Sequence, residues 1–110
     1  MNLYDYGNAY GLQFGLSKAD RLRYRESTMT HAMALSGVHL EDGNPVRWRI
    51  ENSWGEDGGD KGYFCMTDEW FSEYVYQVVV DRDVLSETQR KVLEQTPIVL
   101  PPWDPLGALA

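Results

Sequence analysis

His31 and Asn52 are the two residues whose types and spacing could do chemistry together. The midpoint between them falls at the start of Glu41-Asp42-Gly43-Asn44-Pro45, a run with turn chemistry, so a hairpin folded about it brings them near one another across the ladder. An imidazole beside a carboxamide has a chemical use. The amide oxygen accepts from one ring nitrogen, which fixes tautomer and orientation and leaves the other nitrogen to serve a nucleophile. The competing reading is a buried histidine satisfied by a core amide, a common structural pair. The single thiol, Cys65, follows both residues and sits in Tyr63-Phe64-Cys65-Met66 among apolar neighbours. Reactive thiols need an electropositive, partly open setting, so Cys65 reads as a packed small hydrophobe.

Other candidates are weaker. His39, beside Glu41 and Asp42, reads as solvated, and the spacing supplies no metal ligands for it. Glu56, Asp57 and Asp60 lie in a Gly-rich loop without the ligand ladder or closing Glu of a calcium loop. Arg21, Arg23 and Arg25 around Tyr24 read as one solvated edge rather than an RNA contact.

The elements that must position these residues follow from local signals. Residues 1–15 mix Tyr, Gly and Asn without a period and read as irregular chain. Ser17, with Asp20 three residues on and Leu16 as a staple, predicts a short helix to about Arg25. Val46 to Glu51 alternates strictly, which predicts the second strand of the hairpin, with Trp48, Ile50 and Asn52 on one face and Arg47, Arg49 and Glu51 on the other. The loop Gly55 to Gly62 precedes a third strand, Tyr63 to Met66, and Thr67 can cap a helix whose first turn carries Asp68 and Glu69. Gln77 to Val80 predicts a buried strand, and Ser86 with Gln89 a capping box for a helix to about Gln95. Pro97, Pro101, Pro102 and Pro105 then forbid regular structure, so the last ten residues are expected as an extended apolar tail, anchored by Trp103, with Leu106 to Ala110 projecting.

Composition bounds the reading. The 110 residues allow one domain at most, and 17 acidic against 10 basic side chains give a formal charge of -7. That balance speaks against nucleic acid, whose phosphates need clustered Lys and Arg. One cysteine can form neither an internal bridge nor a thiolate zinc site. No apolar run approaches the length of a membrane helix and no basic leader opens the chain, so the cytoplasm is the expected compartment.

Thr30-His31-Ala32, Glu51-Asn52-Ser53-Trp54-Gly55 and Lys61-Gly62-Tyr63 resemble papain-like cysteine peptidases, where a His-Ala strand and an Asn-Ser-Trp-Gly turn supply two members of a Cys-His-Asn arrangement. Met29 to Met33, Val79-Val80-Asp81 and the run from Pro97 to Ala110 are similar to the bleomycin-hydrolase-like group of that family, in one register from about Lys18 onward. The resemblance implies His31 as general base and imidazolium partner of a thiolate, Asn52 as its orienter and Trp54 as the cover that excludes water. It implies the α+β class: the antiparallel, sheet-rich half of a papain-like peptidase with short helices. The expected division is an irregular segment over 1–16, a His/Asn-bearing domain over 17–100 and a C-terminal arm over 101–110. The carboxylate at Ala110 would meet the charged amino end of a substrate. A cytoplasmic aminopeptidase acting on peptide or amide bonds, assembled as a closed homohexamer and calling for no cofactor, is what the group implies.

One departure matters. Papain-like chains place the nucleophilic Cys about 130 residues or more before the His. Only 30 residues precede His31 here, and neither that Cys nor the upstream oxyanion Gln is in the chain. The expectation is therefore a C-terminal part that bears a base without its nucleophile, a truncated product or incomplete gene model, inactive alone. The alternative is a non-catalytic interaction module that docks onto full-length subunits.

Overall fold

The computed structural model describes residues 5–107. Its centre is a three-stranded antiparallel sheet, β1 (Ala34–Glu41), β2 (Asn44–Glu51) and β3 (Tyr63–Thr67), in that spatial order. Short helices surround it: α1 (Tyr6–Tyr10), α2 (Lys18–Arg23), α3 (Asp68–Tyr74) and α4 (Glu87–Val92), with 3-10 turns at Arg82–Val84 and Pro105–Gly107. The α+β class read from the sequence is the one observed.

The β1–β2 turn is tighter than the five-residue run suggested. Asp42 (φ 50) and Gly43 (φ 81) alone turn the chain, and Glu41 already pairs with Asn44. Two positive φ values in a two-residue loop match the right-handed twist of the flanking strands. The ladder contains two bulges, one past Leu35 and one past His39. Ser36, the extra residue on β1, donates its hydroxyl to the Arg49 carbonyl at 3.3 Å. Each strand carries one extra residue, so the register regained at Ala34 opposite Glu51 is that of the turn.

Alternation along β2 sorts the side chains as anticipated. Ile50 and, opposite Trp48 on β3, Met66 are the buried apolar side chains among the described residues. Helix α3 covers this face. Its Phe71 ring stacks on Trp48 with centroids 4.5 Å apart, and the Trp48 indole N–H donates to Asp68 Oδ1 at 2.8 Å. Thr67 caps α3 by accepting from the Trp70 N–H. At the other end of α3, Lys18 Nζ donates to the carbonyls of Ser72 and Val75, both at 2.6 Å, where the helix dipole favours a cation. Arg21 adds bonds to the Leu16 and Glu73 carbonyls and to the Glu73 carboxylate.

Several expectations need correction. Tyr6–Tyr10 is a helical turn and not irregular chain, because Asp5 caps it and Gly11, at φ 64, ends it in the left-handed region. Gln77–Val80 is not a buried strand. It pairs with neither outer edge of the sheet, with Val79 90% exposed, because β-propensity reflects packing on a half-buried surface rather than an intrinsic backbone preference. Helix α4 begins at its capping box but stops at Val92, and i to i−3 bonds tighten the chain through Gln95. The proline-rich end is bent rather than extended. Asp104 N–H donates to the Pro101 carbonyl at 2.9 Å, and Asp104 Oδ1 accepts from Leu106 N–H at 2.8 Å. The arginine trio is not one solvated edge: Arg21 clamps α2 to α3, and Arg25 donates to the Trp103 carbonyl at 3.1 Å.

The surface is large for the mass. Accessible area is 9716 Å², against about 6,200 Å² for a compact monomer of this mass. The radius of gyration, 17.1 Å, likewise exceeds the ~13 Å expected of a compact chain of this length. Exposed apolar side chains occur along the chain, and three stand consecutively at Val78 to Val80 and at Ile98 to Leu100.

Candidate active site

Asn52 follows β2 directly, and His31 lies three residues before β1, at the open end of the hairpin. Ladder register alone would put Asn52 opposite Met33. His31, two residues further from the turn, reaches it because residues 31–33 lie outside the strand and are not bound to its register. The His31 Nε2 to Asn52 Oδ1 distance is 2.8 Å. The second donor to the same oxygen is the Ser53 backbone N–H, at 2.9 Å. A backbone N–H can only donate, so the atom it meets is the amide oxygen, and Nε2 must then carry the ring proton. The neutral ring's lone pair is thereby left on Nδ1, the arrangement a general base requires.

Trp54 stands against His31 with ring centroids 5.0 Å apart and planes tilted by 37°. Its indole is itself 74% exposed, and His31 is exposed, so within this chain the tryptophan shields one side of the pair and leaves the rest open to solvent. An open groove lined by Ala32, Met33, Ala34, Glu51, Asn52 and Ser53 runs beside the pair. Mostly small side chains leave room there for an extended backbone.

The structure thus brings together His31, Asn52 and Trp54. Ala110 lies outside the described residues. Cys65 is corrected: it is exposed and not packed. On β3 it pairs with Arg49 of β2 and so shares the sheet face of the arginines, opposite the face of Ile50, because the alternation that buries Met66 turns its neighbour outward. The thiol is thus not offered to His31. His39 is exposed, 3.9 Å from the Glu41 carboxylate. Among the described residues no three of His, Cys, Asp and Glu come together as a metal set. None of the described helices is long and apolar enough to cross a membrane.

Sequence reasoning missed the Ser53 N–H as the second ligand of the Asn52 oxygen. The signal was available, since Asn side chains accept from backbone N–H groups nearby in turns.

Comparison with known proteins identifies the family. The chain is 58% identical to bleomycin hydrolase of Homo sapiens over 114 aligned residues, which cover all of this chain and 25% of that protein. It is 55% identical to aminopeptidase C of Lactococcus lactis subsp. cremoris, covering all of this chain and 26% of that one. The crystal structure of PepW from Lactobacillus rhamnosis HN001 superposes with a TM-score of 0.87 at 48% identity, over 94% of this chain and 24% of its own. This chain therefore spans about a quarter of the length of the relatives it matches. With a family model for the peptidase C1-like family matching residues 1–107, the fold and the relatives converge: the chain belongs to the peptidase C1-like family.

Proposed function

We propose that this chain supplies the base and its orienting partner, His31 and Asn52, to a cysteine aminopeptidase whose nucleophilic thiol lies on polypeptide outside these 110 residues. The observation that carries the reading is the doubly anchored Asn52 oxygen, which holds the imidazole with Nε2 protonated and Nδ1 available. In the proposed reaction Nδ1 takes the thiol proton, giving a thiolate and an imidazolium that Asn52 keeps oriented. The thiolate attacks the carbonyl carbon of a peptide or amide bond. As the C–N bond breaks, the imidazolium returns its proton to the leaving amine, and a thioester remains. Water, deprotonated by the neutral ring, attacks that thioester and releases the acid and the thiol. Trp54 keeps water from one side of the imidazole. The segment from Leu106 to Ala110 is proposed to meet the amino end of the substrate, the holoenzyme to be a cytoplasmic homo-oligomer, and no cofactor to take part.

The area in excess of a compact monomer, about 3,500 Å², is of the size buried by obligate associations, and it favours the docking of this chain against further polypeptide. The same area supports a second reading, a non-catalytic module seated on full-length subunits. One assay separates them. The chain alone should not hydrolyse an aminoacyl fluorogenic substrate, and the chain joined to a thiol-bearing partner segment of a relative should. His31→Ala should then abolish turnover, and Asn52→Ala should lower it by about ten-fold or more, the scale of positioned proton transfer. Full turnover by the joined polypeptide carrying His31→Ala refutes the catalytic reading.

A further inference from the structure

We propose that Gly62 is a positioning residue of the His31–Asn52 pair, because its missing side chain lets the Ser53–Gly55 turn close behind Asn52; this deepens the catalytic reading above and rests on it. The Asn52 N–H donates to the Gly62 carbonyl at 3.0 Å, and the Gly62 N–H donates to the Gly58 carbonyl at 2.9 Å. Gly62 is buried and holds φ +85. A Cβ there would stand 2.8 Å from the Gly55 carbonyl oxygen and 3.5 Å from its carbon, a backbone group with no flexible end to swing aside. The turn would have to move outward.

That movement reaches the site by the shortest covalent path. Between Asn52 and Gly55 lie only Ser53, whose N–H fixes the Asn52 oxygen, and Trp54, whose ring stands against His31. Pushing Gly55 away draws both off their partners while Asn52 remains tied to β2. Gly59 provides the internal contrast. It too has positive φ, +65, and its Cβ would collide with the Tyr63 carbonyl oxygen and stand 3.0 Å from the Phe64 ring. It therefore holds the same loop against β3 at least as tightly, yet touches neither the turn nor the pair. A residue that merely stabilises the loop and a residue that positions the imidazole are thus separable by substitution.

The test is long-range proton–nitrogen NMR of the His31 imidazole in the 110-residue chain, at a pH where the ring is neutral. The unsubstituted chain is expected to show protonated Nε2 and a ring-current shift on His31 from Trp54. Gly62→Ala should convert the imidazole to a mixture of tautomers and remove that shift, whereas Gly59→Ala should lower stability and keep both signatures. The proposal is overturned if Gly62→Ala leaves both signatures unchanged, or if Gly59→Ala alters them as much. Hydrogen exchange in the unsubstituted chain provides a measurement that does not depend on the variant folding. The Asn52 and Ser53 amides should exchange with protection within about two-fold of each other, since loss of the Gly62 contact releases both, and a ten-fold lower protection at Ser53 rejects the coupling. Failure of the joined polypeptide to hydrolyse substrate would leave these readouts as they are, so the two ideas fail separately.

Discussion

Replacing Trp48 with Phe tests how α3 is held on the sheet. The substitution keeps an aromatic ring against Phe71, whose centroid lies 4.5 Å away, and removes the one indole N–H that Asp68 Oδ1 receives at 2.8 Å. A hydrogen bond to a charged group contributes about 1.5–3 kcal/mol net, and both side chains are half-buried, which places this one near the lower end, about 1.5 kcal/mol. The carboxylate would keep its favourable place in the first turn of α3, about 0.3–1 kcal/mol, so the loss is not compounded by that interaction. With a urea m-value of about 1.5 kcal/mol/M, the unfolding midpoint should fall by about 1 M. Combined with Asp68→Ala in a double-mutant cycle, the coupling should be about 1 kcal/mol. Coupling below about 0.3 kcal/mol would show that the 2.8 Å bond contributes nothing beyond its geometry, and the account of α3 docking would fail.

Two further outcomes follow from other contacts. Arg21 is held above its ordinary pKa, first by its hydrogen bond to Glu73, so its contribution is fully present below the ordinary arginine value and is lost only as pH rises through the still higher folded one. Arg21→Gln should therefore raise the rate of limited proteolysis around α2 equally at about pH 6 and about pH 9, and a pH-dependent difference would contradict that linkage. Cys65, exposed on the arginine face, should react stoichiometrically with an aromatic disulfide reagent in the folded chain, and Cys65→Ser should leave the His31 imidazole signals in place. A thiol that reacts only after denaturation would return Cys65 to the core.

The legible parts of this molecule are those with local causes. Ser17, Thr67 and Ser86 each cap the helix that follows them, since a hydroxyl three residues before a free N–H is a short-range signal. The alternation through Trp48 and Ile50 identified the buried face of β2 for the same reason. The contact between His31 and Asn52 was also legible, though the turn centres one residue later than the midpoint between them, and two bulges reset the register on the way. What could not be read depends on partners distant in the chain. Whether Gln77–Val80 is a strand depends on a surface for it to pack on, and Cys65 turns outward because its neighbour Met66 turns inward against Trp48. Arg21 looked like its neighbours Arg23 and Arg25 because nothing nearby announces Glu73, more than fifty residues away.

The exposed runs Val78 to Val80 and Ile98 to Leu100 have a consequence for the chain's life in a cell. Quality-control machinery does not inspect folds; it samples extended apolar segments, and a polypeptide that displays two of them is handled as an unfolded one even when its sheet is intact. The amount of this chain at steady state should then be set by the supply of whatever covers those segments rather than by its own rate of synthesis. Copies in surplus of such a cover would then be cleared first, so abundance would follow stoichiometry.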